Sequence, residues 1–217
     1  MPHRQERETL MRKFRSIGLL AAAVGAAACG SDNTSPGSGS VTLQLTDAAF
    51  SVDSVKSADM FVVRVDGRVA DADSAAAAKG ATDDSANTDG WVTLARPNAA
   101  INLLALQNGV ATTIGQSSLP AGTYQSFRII VDPTKSSITL KDGKVLSGTS
   151  SPSIVFPSGA RSGIKISMSQ PLTIAAGQST TLLVDFDLAN SFVLRGNSLS
   201  QNGLLFKPVV RATVKAP

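Results

Sequence analysis

The chain has 217 residues, 42% of them hydrophobic, with 20 basic against 16 acidic side chains. Residues 1–28 hold five of the basic and two of the acidic residues, leaving 15 against 14 beyond them, a near-neutral body with no dense Lys/Arg patch and no footprint for nucleic acid. Past residue 28 there is no His, no Glu and a single thiol, Cys29, which excludes His-based acid–base catalysis, Ser-His-Asp and Cys-His nucleophiles and His/Cys zinc sites. Asp pairs, a Ser-Lys dyad and oxygen-ligated calcium remain.

The N-terminus reads as a secretory signal. Arg12, Lys13 and Arg15 supply the positive region and Ile17 to Ala28 the apolar run. That run is shorter than the roughly 20 residues of a membrane span. Met11 is an alternative start to Met1, since the signal is complete from there. Ala26-Ala27-Ala28-Cys29 resembles a lipobox, with Ala26 where Leu is commoner. The expectation is therefore a signal peptide over 1–28 and lipid attachment at Cys29, the thiol consumed in a thioether. The alternative is ordinary cleavage after Ala28, which leaves a free thiol. Residues 29–40 are Gly/Ser-rich, the composition of a flexible tether.

From Val41 onward, short runs alternate between apolar and polar residues and are broken by turn residues, the pattern of an all-β protein. Val41, Leu43 and Leu45 share one face of a strand, as do Ile164, Ile166 and Met168, and Val210, Ala212 and Val214. Phe61–Val65 is nearly continuous in apolar residues and reads as a central strand. Asp142-Gly143 and Asn108-Gly109 read as two-residue hairpin turns. Residues 70–90 carry five Asp against one Lys and read as a long exposed loop. Asp71, Asp73, Asp83, Asp84 and Asp89 are candidate calcium ligands there, but the spacing does not match an EF-hand loop. The whole predicts one domain over 41–215, an antiparallel β-sandwich of about twelve strands.

Asp185 and Asp187 lie two apart on a strand and share a face. Paired carboxylates can act as acid and base or hold a cation. Equally, they can pair with Arg128, Lys165 or Lys207 on neighbouring strands. These five residues form the candidate ligand or ion-pair cluster, and the ion-pair reading is preferred. By alternation Tyr124, Ser126 and Arg128 share one face, and Phe127, Ile129 and Val131 the other. Ser162-Gly163-Ile164-Lys165 has the Ser-x-x-Lys spacing of penicillin-recognising enzymes, but it falls on a loop and strand rather than a helix. Asp47 reads as a local turn former and Trp91 as the start of a core strand; Trp91 and Tyr124 are also candidate sugar platforms.

Several segments occur together in a specific order: Leu45–Phe50, the Trp91 strand, Ile101–Leu106, Leu119–Tyr124, Phe127–Asp132, Pro157–Gly159, Gly163–Ile166, Val184–Asp187 and Leu205–Arg211. In that order they resemble the bacterial and archaeal lipoproteins that carry a domain of unknown function, DUF4382, with Ala49 where Pro is expected. The resemblance implies an envelope-anchored β-sandwich of the prealbumin-like or immunoglobulin-like kind and implies no activity. The reading is a lipid-anchored extracytoplasmic module, inner or outer membrane undecided, that binds a protein or glycan or plays a structural part. It has no catalytic residue, no metal site and no cofactor. The rivals are a carbohydrate- or cell-wall-binding accessory domain, calcium-dependent or not, and an Asp185/Asp187 hydrolase.

Overall fold

The computed structural model describes residues 37–48, 54–70, 90–157 and 162–215. Residues 1–28, where a signal peptide is expected, Cys29 and the Asp-rich stretch 71–89 lie outside them. Among the described residues the fold is all-β, with fifteen strands. In chain order these are β1 (Ser38–Asp47), β2 (Val55–Val69), β3 (Trp91–Ala95), β4 (Ala99–Asn102), β5 (Ala111–Pro120), β6 (Gly122–Val131), β7 (Ser137–Leu140) and β8 (Val145–Ser147). They continue with β9 (Ile154–Val155), β10 (Ile164–Met168), β11 (Leu172–Ile174), β12 (Ser179–Phe186), β13 (Phe192–Leu194), β14 (Leu204–Phe206) and β15 (Val210–Lys215). Two one-turn helices, α1 (Leu188–Ser191) and α2 (Leu199–Asn202), and a 3-10 turn at Leu103–Leu106 are the helical elements.

Twelve strands form one curled sheet in the order β5-β1-β12-β15-β10-β6-β2-β7-β8, with β11 on β6 and β3 and β4 on β2. A small sheet has the order β13-β14-β9. The expectation of purely antiparallel pairing is corrected at three places: β1 runs parallel to β12, β10 to β15, and β14 to β9. Parallel neighbours need crossover connections. The β1–β12 pair joins segments more than 130 residues apart in the chain, a pairing that local turn signals cannot announce.

The core follows the alternation. Val41, Leu43 and Leu45 on β1 lie beside Leu182, Val184 and Phe186 on β12, all 0–1% exposed. Strand β2 departs from strict alternation. Ala58, Met60 and Val62 face inward, then a register shift between Val62 and Arg64 switches the face, so that Val65, Gly67 and Val69 are buried. Gly67 is required there, because a Cβ would stand 2.7 Å from Leu94 Cδ1 and 3.0 Å from Phe127 Cε1.

A second shift, between Arg68 and Val69 of β2, falls opposite Tyr124 and Ser126 of β6. It overturns the expectation that Tyr124 shares a face with Arg128. Tyr124 is fully buried, 6.5 Å from Phe127 between ring centroids, with its hydroxyl donating to Pro120 O at 3.1 Å. Burial pushes its pKa up to about 12. Asn108-Gly109 forms a tight turn with φ of 58° and 82°, but it leads from the 3-10 turn into β5 and joins no paired strands. Asp142-Gly143 does lie in the β7–β8 hairpin, where the turn is wider than two residues and closes by Leu140 N–H to Lys144 O at 2.8 Å. Replacing Tyr124 by Phe keeps the packing and removes one buried hydrogen bond. Urea unfolding should show a loss of about 1 kcal/mol, whereas Tyr124→Ala should cost about 3–5 kcal/mol.

Candidate functional site

The five residues expected to cluster are divided among four separate arrangements. Arg128, on β6, does not reach Asp185 or Asp187. Its Nε donates to Asp66 Oδ2 at 2.9 Å, and its guanidinium carbon lies 4.2 Å from the centre of the Trp91 ring. Asp66 stands opposite Arg128 in register, on the β2 segment that has already switched face. It also accepts from Arg64 Nε at 3.0 and 3.1 Å and from Thr93 Oγ1 at 3.1 Å. Asp66 is 1% exposed and is balanced by two arginines. Its sequence signal was the alternating Arg64-Val65-Asp66-Gly67-Arg68, in which period two places Arg64, Asp66 and Arg68 on one face.

Asp187 follows β12, not on the strand as expected, and caps α1. Its Oδ1 accepts from Asn190 N at 3.1 Å and its Oδ2 from Asn190 Nδ2 at 2.8 Å. Asp185 stands opposite Arg211 on β15. Burial raises its pKa, nearby Asp187 adds to the rise, and Arg211 and the Ala48 N–H oppose it. The pair therefore has unlike settings: one carboxylate is bound into a helix cap, and the other lies opposite Arg211 with its Oδ1 buried and without a hydrogen-bond partner among the described residues. Losing Asp66 should accordingly matter more than losing Asp187. Asp66→Asn leaves two half-buried arginines short of a counter-charge and should cost about 3 kcal/mol. Asp187→Asn exchanges one good helix cap for another and should cost under about 0.5 kcal/mol. Denaturant midpoints of the two variants test the difference, and equal losses would contradict the assignment.

Asp47 is a further functional group whose setting sequence reasoning missed. It is 3% exposed on the core face of β1, beside Phe186 in register. Its Oδ1 accepts from Leu188 N at 3.0 Å, while Oδ2 has no hydrogen-bond partner among the described residues. Burial raises its pKa to about 6. The Leu188 amide and the Gln107 side chain oppose the rise, and Asp185 and Asp187 add to it. A carboxyl group whose folded pKa exceeds its unfolded value holds its proton more tightly in the native state. Its contribution is complete below about pH 4 and is lost as pH rises through about 6. Asp47→Asn keeps an acceptor for Leu188 and carries no charge. Its stability relative to the parent should therefore rise by on the order of 3 kcal/mol between pH 4 and pH 8. A difference between the two proteins that does not change with pH would sink this account.

Lys165 and Lys207 remain. Lys165 is exposed on β10, opposite Arg128 in register. Lys207 is exposed just after β14, where Lys207 N donates to Ser191 O at 2.8 Å and Val209 N to Ser191 Oγ at 2.9 Å. The two lysines line one groove of about 440 Å³ with Pro157, Ser162, Gly163, Ile164, Phe206 and Pro208. The Ser-x-x-Lys motif also sits at this groove, with Ser162 in a turn and Lys165 on a strand. Neither lysine makes an ion pair among the described residues.

The family model for a domain of unknown function, DUF4382, matches residues 38–208. The chain belongs to the DUF4382 family. Neither the curated proteins nor the solved structures contain a match to it. In this DUF4382 domain no three His, Cys, Asp or Glu side chains come together as a metal site among the described residues. No helix among them is long and apolar enough to cross a membrane. Cys29 and the Asp residues of the 71–89 stretch lie outside the described residues. Trp91 does start a strand, with Arg128 lying over its ring.

Proposed function

We propose that this DUF4382 chain is an extracytoplasmic binding module, anchored by lipid on Cys29 and carried on the 29–40 tether, that binds an envelope component without transforming it. The observation that carries the reading is the way charges are used in the fold. Asp66 is held by Arg64 and Arg128, Asp187 caps α1 and Asp185 faces Arg211. Asp66 and Asp187 are committed to structure, and the engagement of Asp187 in its helix cap counts against proton transfer by an Asp185/Asp187 pair. Lys165 and Lys207, by contrast, are exposed on one groove, an arrangement suited to holding a ligand.

The anchor rests on the sequence before residue 41. Two acyl chains give stable membrane attachment where a single chain gives only reversible binding. Expressed in a bacterial host fed an alkyne-bearing fatty acid, the wild-type chain should become labelled and stay with the membrane fraction. Cys29→Ser should be unlabelled. Mass spectrometry that finds an unmodified Cys29 in membrane extracts overturns the anchor.

A further inference from the structure

We infer that the groove between Lys165 and Lys207 binds an acidic polysaccharide, whose carboxylates are held by the two ammonium groups. The inference rests on the binding-module reading and names its ligand class.

Charge is the first argument. Lys165 stands directly opposite Arg128 across β10 and β6, and like charges so placed are unfavourable. The fold relieves half of the conflict by committing Arg128 to Asp66 and to the Trp91 ring. It does nothing comparable for Lys165. Lys207 adds a second ammonium to the same groove, and no acidic side chain lines the groove among the described residues. An anion placed there meets positive charge with no carboxylate competing for it.

Shape and side-chain type narrow the ligand. Lysine is a compact charge on a flexible stem and imposes no planar two-pronged geometry on its partner. It therefore suits carboxylates that recur along a chain. Pro157 and Pro208 give the groove rigid apolar walls, a complement to the C–H face of a sugar ring. A nucleic acid would need a surface on which bases stack. Tyr124 is buried and the Trp91 ring is covered by Arg128.

Two exposed lysines hold one carboxylate weakly, so affinity must come from repetition along the polymer and must be sensitive to salt. The probe is polygalacturonate, bound to the full chain purified in detergent. Wild type should bind it and ignore neutral dextran. Binding should disappear near 1 M salt, where screening acts over about 3 Å. Lys165→Gln with Lys207→Gln should weaken binding at least tenfold with an unchanged melting temperature. The double Lys→Arg variant should retain it. Both replaced positions are exposed, so a folding failure is not expected to intervene. Wild-type binding by the double Gln variant overturns the proposal. So does a preference for phosphatidylglycerol vesicles or poly-glutamate over polygalacturonate. Fatty-acid labelling of Cys29 is read on the same variants, which separates a failed groove from a failed anchor.

Discussion

The change of face in the middle of β2 governs much of this molecule. A strand of 15 residues that kept one alternation throughout would carry either Val65 or Met60 into water. The shift between Val62 and Arg64 avoids this, since an extra residue in one strand re-aims every side chain after it. Inward, it delivers Val65, Gly67 and Val69 to the core. Outward, it brings Asp66 opposite Arg128, with Arg64 beside it. The same shift therefore completes the apolar interior and builds the buried ion-pair network on the other side of the sheet.

Two buried carboxylates illustrate how surroundings decide what a charge does. Asp66 and Asp47 are 1% and 3% exposed. Asp66 meets two guanidinium groups and a hydroxyl, so its desolvation is offset by charged donors. Asp47 has one backbone amide, the Gln107 side chain and two neighbouring carboxylates. Burial without a cation favours the neutral acid. The first carboxylate is tied into the frame by its donors, while burial pushes the pKa of the second up to about 6.

The all-β class, the hairpin at Asp142-Gly143 and the inward faces of β1, β10 and most of β15 were legible because period-two alternation is local. What alternation could not convey was any register shift. Tyr124 was placed on the wrong face for that reason, since its position depends on a shift opposite Arg68 and Val69. The ion-pair partners failed similarly. Arg128 was matched with Asp185 or Asp187 by charge, but partner choice follows strand order, and β15 and β10 separate β12 from β6. Asp66 adjoins Arg128 only because β2 and β6 pair across some 60 residues of chain. The parallel β1–β12 contact is longer in range still.

Although Asp187 and Lys207 do not touch, the structure links them through backbone. Asp187 caps α1, which ends at Ser191. Ser191 then accepts from Lys207 N through its carbonyl and from Val209 N through its hydroxyl. A side chain that caps a one-turn helix thus helps set the segment carrying one of the two groove lysines. On the opposite wall, Gly163 lies close enough to Arg128 that a Cβ there would stand 3.2 Å from Arg128 Cδ. The Asp66–Arg128 pair therefore buttresses the segment that leads to Lys165. Of the five acidic and basic residues that alternation suggested were one cluster, Asp187 and Arg128 are supports, Lys165 and Lys207 line the groove, and Asp185 lies opposite Arg211.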